Sequence, residues 1–345
     1  MWLGSPVLLA LAAAVLFGAS TPLAKLLLGS IDPWMLAGLL YLGSGIGLTI
    51  IRAITTRSEA ALQQKDLPWL AGAILSGGVI GPVLLMFGLS RTPAATASLL
   101  LTLEGAATAG MAWFVFRENF DRRIAMGMGC ILAGAAVLAW QGELTLQGLI
   151  GPLAIAGACL AWGLDNNLTR KVSLADPMQI ALLKGLVAGP VSLILAIMHG
   201  ASLPPIGPMS EAALLGFFGY GVSLVCFVLA LRGLGSARTG AYFAVAPFIG
   251  AVIAIPLLNE SLSVQLLVGA ALTGLGVWLH LTEHHVHRHD HEPMAHSHRH
   301  QHDLHHRHEH EPGDPAGEPH SHLHNHVRLR HSHAHMPDSH HRHEH

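Results

Sequence analysis

Long apolar runs alternate with short polar breaks along most of the chain. Ten runs reach the roughly 20 residues a helix needs to cross a hydrocarbon core. They fall near 6–28, 33–53, 68–90, 93–116, 122–140, 147–168, 177–198, 211–231, 236–258 and 263–282. Several are apolar on every face, which in a helix means a membrane or a very large core. The breaks carry turn chemistry, as in Ile31-Asp32-Pro33, Arg91-Thr92-Pro93, Asp176-Pro177 and the proline-rich stretch 204–208. The first run lacks a basic start and nine more follow, so it reads as a retained helix and not a cleaved leader. The pattern predicts an all-α integral membrane protein of ten transmembrane helices.

Composition sharpens this picture. Of 345 residues, 51% are hydrophobic and only 12% charged, about half the charge of a typical soluble domain. The net charge of −2 averages two unlike parts. Residues 1–282 hold 13 of the 19 Lys+Arg and 11 of the 21 Asp+Glu, a net of +2. Residues 283–345 hold the remainder, a net of −4, together with every one of the 26 histidines except His199 and His280. No basic face suits nucleic acid. Cys130, Cys159 and Cys226 lie in apolar stretches and read as packing residues, with no disulfide framework.

Lys and Arg also orient the chain. With the N-terminus inside, the inner loops hold Arg52, Arg57, Lys65, Arg117, Arg122, Arg123, Arg170, Lys171, Arg232 and Arg238, while Arg91 and Lys25 lie towards the outside. This bias predicts a multi-pass protein of the inner (cytoplasmic) membrane with both termini in the cytoplasm.

The chain repeats itself at an interval of 142–145 residues. Leu16-Phe17-Gly18 falls on Ala161-Trp162-Gly163, and Phe116-Arg117-Glu118 on Leu258-Asn259-Glu260. Each copy has five helices, so the second is inverted, with expected units at 1–142 and 143–282. Inverted repeats are typical of secondary transporters, whose substrate site lies between the halves near the midplane.

Ser98 through Glu118, with Ala112-Trp113-Phe114-Val115-Phe116-Arg117-Glu118 at its end, resembles the fourth helix and trailing Glu of EamA-type transporters in the drug/metabolite transporter superfamily. Phe243-Ala244-Val245-Ala246-Pro247 through Glu260 resembles the same motif in the second repeat, and Ala161-Trp162-Gly163 the first-helix signature. The resemblance spans about 6–282. It implies site helices 1, 3, 4, 6, 8 and 9 and a small-metabolite substrate. One departure stands out: the family's mid-helix Thr-Pro is Glu104-Gly105 in the first copy, whereas the second keeps Pro247.

Glu104 is the sharpest chemical signal. A carboxylate at the bilayer centre costs about 2.5–3.5 kcal/mol by insertion scales, so it must face a cavity, meet a cation or carry a proton. Asp165-Asn166-Asn167 is expected to close the sixth helix. Lys184 either snorkels to the inner surface, about 10 Å away, or pairs with Asp165 or Glu104. Ser20 and Thr108 join them as polar candidates, and Trp162, Tyr242, Trp113 and Tyr220 as aromatic ones. Small residues in the fourth and fifth helices read as packing stripes. Gly77-Gly78 and Gly81-Pro82 mark a place where the third helix could bend.

The tail is expected to be disordered and cytosolic, since almost no apolar residues interrupt its histidines. His-x-His spacing at His284, His285, His287, His289, His291, His296, His298, His300 and His302 suits Ni, Zn or Co. No cofactor is required. Near pH 6.5 about half of these imidazoles would be charged at their reference pKa.

No nucleophile elbow, paired catalytic carboxylates, dinucleotide loop or phosphate-binding GxxxxGK[ST] is present, so the expected role is not enzymatic. The reading is a secondary transporter of a small metabolite by alternating access, in a lipid bilayer, with a homodimer as an assembly option. A divalent transition-metal exporter and a membrane-anchored metal buffer or sensor are the alternatives.

Overall fold

The computed structural model describes residues 5–55, 62–115, 122–140, 145–172, 175–282, 285–291, 294–300, 320–326 and 329–335. Up to residue 282 the described regular structure is helical. The helices are α1 (Pro6–Leu27), α2 (Pro33–Ile54), α3 (Leu67–Ala73), α4 (Gly81–Arg91), α5 (Ala94–Leu100), α6 (Leu103–Phe114) and α7 (Arg122–Ala139), followed by α8 (Leu146–Val172), α9 (Pro177–Met198), α10 (Ile206–Gly216), α11 (Ser223–Phe243), α12 (Ala246–Leu258) and α13 (Val264–Leu281). A wider π-helical turn over Ile74–Ile80 joins α3 to α4, and another over Phe217–Val222 joins α10 to α11. Among the described residues, eight helical stretches are long and apolar enough to cross a bilayer. Their exposed Leu, Ile and Val side chains suit a lipid-facing surface.

The predicted turn signals act as helix starts. Asp32 accepts from the backbone N–H of Trp34 (2.9 Å) and Met35 (3.3 Å), with Pro33 in the first turn. Asp176 does the same for Met178 (2.9 Å), with Pro177 following. A side-chain acceptor meets donors that the helix leaves open, and proline lacks the one donor that would be wasted there. Asp176 also accepts from Arg52 at 2.6 Å, tying α2 to α9.

The helical run Ser223–Phe243 contains a reversal. The rings of Phe227 and Phe243 lie 4.8 Å apart, whereas a straight helix would separate residues sixteen positions apart by about 24 Å. The chain therefore folds back between them, where the sequence places the break between its eighth and ninth runs.

The repeat is visible in the irregularities. The two π turns are 143 residues apart, at 74 and 217. So are the two helix interruptions, at Leu101-Thr102 and Ala244-Val245. Repeat-equivalent helices also cross antiparallel. In α2 and α9, Gly45 lies on Gly185, Leu42 on Gly189 and Gly38 on Leu193. In α7 and α13, Gly127 lies on Gly276 and Leu138 on Gly269. Antiparallel equivalents are what inversion requires. At the α2–α9 crossing a Cβ on Gly185 would sit 2.5 Å from the Gly45 nitrogen, so only glycine admits this approach.

Packing differs between the two ends. One large apolar cluster unites the C-terminal ends of α1, α4, α7, α9 and α12 with the N-terminal parts of α2, α5, α8 and α13. At the opposite end the described residues form only two small, separate clusters. One is Leu70, Val172, Ala175 and Ile180; the other is Leu48, Ala181 and Leu182. These are the Glu260 end and the Arg52 end below.

Three expectations change. The fourth run is not one helix but α5 and α6, interrupted at Leu101-Thr102. The sixth helix does not close at Asp165-Asn166-Asn167: it continues to Val172, leaving those residues inside it. The tail, expected to lack order, holds four strands among its described residues: β1 (His285–His291), β2 (Met294–His300), β3 (His320–His326) and β4 (Leu329–His335). β1 pairs antiparallel with β4 and β2 with β3, setting His287 opposite His333 and His298 opposite His322. His-x-His alternation has the period of a strand, a regularity that composition alone hides. His284 and His302 lie outside the described residues.

Candidate substrate site

The site is built on one face of α8. Trp162, Asp165, Asn166 and Thr169 follow the i, i+3, i+4, i+7 spacing of a single helix face. Opposite stands α6, where Glu104 and Thr108, four apart, share a face. Asn166 spans both, its Nδ2 donating to Glu104 Oε1 (2.9 Å) and Thr108 Oγ1 (3.2 Å). Asn167 Nδ2 donates to the carbonyls of Thr108 (3.2 Å) and Gly163 (2.8 Å). Asn166 is exposed and Glu104 half-buried, and Gly105 beside it has no atom within 4 Å of a notional Cβ. Polar side chains at this depth are too costly to face lipid, so this face needs protein or water as its neighbour.

Lys184 does not snorkel. Its Nζ donates to Asp165 Oδ1 (2.5 Å) and Thr169 Oγ1 (2.9 Å), while the Thr169 hydroxyl donates to the same carboxylate oxygen (2.8 Å). Asp165 and Lys184 are each 8% exposed. Both charges are buried and each answers the other, the condition under which an ion pair survives in an apolar interior.

Gly77 makes room for this pair. A Cβ there would lie 1.9 Å from Asp165 Oδ2. The π turn also frees its carbonyl. Gly81 N–H bonds to Ser76 O, and in that register the next donor would be Pro82, which has none. Tyr41 Oη (2.7 Å) and Trp162 Nε1 (2.9 Å) donate to the Gly77 carbonyl instead. Gly77→Ala is expected to destabilise the protein by about 1–3 kcal/mol through overpacking, whereas Gly105→Ala, with open space before it, should be neutral. Thermal melting of the two variants in detergent separates them; equal melting temperatures would refute the crowding at Gly77.

Both repeats supply an aromatic wall. The Phe17 ring lies 6.4 Å from Trp162, 5.9 Å from Tyr220 and 5.5 Å from Phe243, and Tyr41 lies 5.5 Å from Tyr220. By the repeat interval Tyr220 is the counterpart of Gly77, Ser20 of Asp165 and Tyr41 of Lys184. Each half thus pairs one large and one small group: Gly77 with Asp165, and Tyr220 with Ser20, whose Cβ lies 2.7 Å from a notional Cβ on Gly219. The ionisable groups are thereby gathered on one side of the pseudo-twofold axis.

Of the sequence candidates, Glu104, Thr108, Trp162, Asp165, Asn166 and Lys184 converge here. Ser20 is buried and donates its hydroxyl to the Phe17 carbonyl (2.6 Å), Tyr242 is half-buried beside Phe243, and the Trp113 side chain lies outside the described residues. Sequence reasoning missed Thr169, Tyr41 and Phe17 as site residues, and read Gly77 only as part of a bend. Thr169 completes a polar stripe on α8 and was readable from its spacing; Tyr41 and Phe17 lie in apolar runs and carry no such signal.

Compared with known proteins, residues 4–140 and 149–282 each match the EamA-like transporter family. An uncharacterized transporter of Methanothermobacter thermautotrophicus is 28% identical over 285 residues, covering 77% of this chain and 83% of its own. A probable terminal-alkyne amino-acid exporter of Streptantibioticus cattleyicolor is 26% identical over 218 residues, covering 62% and 73%. A solved crystal structure superposes with a TM-score of 0.61 at 19% identity, covering 80% of this chain and 96% of that one, which supports the fold.

Proposed function

From the premise that this chain belongs to the EamA-like transporter family, we propose that it is a secondary exporter of a small organic molecule bearing one positive charge, working by alternating access. One observation carries the charge assignment. Asp165 is answered by Lys184, while Glu104 is held by the neutral Asn166 at 2.9 Å. Two carboxylates and one ammonium leave a single negative charge, which suits one ammonium group or one proton. The aromatic wall around Phe17 would face the apolar part of the cargo, since aromatic faces favour both apolar contact and cations. The probable terminal-alkyne amino-acid exporter among the relatives is named for a class of molecule that carries an ammonium group together with a carboxylate.

In this reading the interrupted stretch 94–114 and the stretch leading through α12 are the two crossings beyond the eight long ones, giving ten. The Lys/Arg bias puts the Arg52 end in the cytoplasm. The test is uptake into proteoliposomes of amines and amino acids beside the same skeletons without the amino group. Preference for the aminated set supports the reading, and indifference to the amino group refutes the charge assignment.

Divalent metal transport is the second reading. It is favoured by the strand register that sets histidines opposite one another in the tail. Among the described residues no group of three or more His, Cys, Asp or Glu could hold a metal. Deleting 283–345 is expected to leave organic transport intact and to abolish Ni²⁺, Zn²⁺ and Co²⁺ binding in calorimetric titration. Loss of metal efflux with organic transport absent throughout would favour the second reading.

A further inference from the structure

We infer that this structure is the state closed at the Glu260 end, and that Lys25 and Glu260 form the latch that holds this end shut. The packing gives the first half of the argument. The large apolar cluster packs the helix ends around α5 and extends to Cys159 and Trp162 of α8. The candidate site lies between these helix ends and the Arg52 end, with Asn166 exposed and Glu104 half-buried.

The latch grips the elbow Arg91-Thr92-Pro93, which joins α4 to α5. This elbow links the π turn that carries Gly77 to the interrupted helix that carries Glu104, so its tilt is coupled to both. From α1, Lys25 Nζ donates to the carbonyls of Leu89 (2.5 Å) and Thr92 (3.0 Å). From the turn after α12, Glu260 accepts from the backbone N–H of Ala94 (2.5 Å) and Ala95 (2.8 Å). The two charges come from opposite repeats, and the elbow cannot swing away from either without breaking charge-assisted hydrogen bonds, the stronger class. A cavity of about 530 Å³, bordered by Thr92, Thr96, Glu260 and Gln265, lies beside the latch.

Four buried hydroxyls among the described residues lack a hydrogen-bond partner: those of Thr92, Ser98, Ser192 and Thr239. Thr92 and Ser98 are 2% and 1% exposed. Buried polar groups in native structures are nearly always paired. Both hydroxyls flank the elbow, where water would meet them once this end opened. By the repeat interval Lys25 corresponds to Arg170 and Glu260 to Glu118, the latter outside the described residues. The inference does not depend on the cargo or on the role of Glu104.

The test uses the full chain with Cys130→Ala, Cys159→Ser and Cys226→Ala, carrying Ser98→Cys as a buried reporter. Its reaction rate with a maleimide is expected to be slow. Adding Glu260→Gln, or Lys25→Met should the first give no folded protein by melting and size exclusion, is expected to speed it at least ten-fold. A second reporter, Ala181→Cys, buried at the other end, should not accelerate. Fast labelling in the parent, unchanged labelling in both latch variants, or equal acceleration at both reporters would overturn the inference.

Discussion

Replacing Glu104 with Gln is expected to lower the transport rate by about 10- to 100-fold while leaving the protein folded. Gln keeps an oxygen to accept from Asn166 Nδ2, which bonds Glu104 Oε1 at 2.9 Å, so the α6–α8 contact survives. What is lost is the one carboxylate without a cation in the described cluster. A hydrogen bond to a charged group is worth about 1.5–3 kcal/mol, and each 1.36 kcal/mol is about a decade in rate. Initial rates in proteoliposomes, beside a melting curve, measure both quantities. Transport within two-fold of the parent would remove Glu104 from the mechanism.

Breaking the Asp165–Lys184 pair should have the largest effect on stability. Removing one member of a buried pair leaves an uncompensated charge and costs about 3–5 kcal/mol. Asp165→Asn alone leaves the Lys184 ammonium with an amide oxygen and the Thr169 hydroxyl as acceptors but no counter-charge; Lys184→Met alone leaves the carboxylate over Gly77 with Thr169. In the double variant both charges are gone, and most of the loss is expected to be recovered, because no uncompensated buried charge remains. The four melting temperatures form a double-mutant cycle. A double variant as unstable as the sum of the singles would show that the two charges do not couple.

The residues of this pair were visible in the sequence, and their pairing was not. Charges are so scarce in the apolar runs that Glu104, Asp165 and Lys184 stand out at once. Snorkelling and pairing are both physically sound for a lysine seven residues into a span, and only the crossing of α8 and α9 chooses between them. Gly77 shows the same division. Its glycine pair and the following Pro82 announce a bend, but not that the freed carbonyl would be met by Tyr41 and Trp162 from two other helices.

The helix interruptions separate the two kinds of information most clearly. In the second repeat the break at Ala244-Val245 precedes Pro247, whose missing N–H leaves the carbonyl of Phe243 open, and the sequence says so. In the first repeat Glu104-Gly105 stands in the equivalent place and nothing local demands a break, yet one occurs at Leu101-Thr102. There the carbonyls of Leu100 and Leu101 face the buried Cys159 thiol at 3.7 and 4.0 Å, and the Thr102 hydroxyl donates to Leu99 O. The donors that make the break tolerable come partly from another helix.

By itself, then, the sequence determined the membrane-spanning elements, their caps, the inverted repeat and the short list of charges, because hydropathy, turn chemistry and charge scarcity act over a few neighbouring residues. The tertiary structure decided which charges neutralise one another and where the helices open. Those outcomes depend on groups more than a helix apart in sequence that meet across the interior, where an unpaired charge or carbonyl is too costly to leave alone.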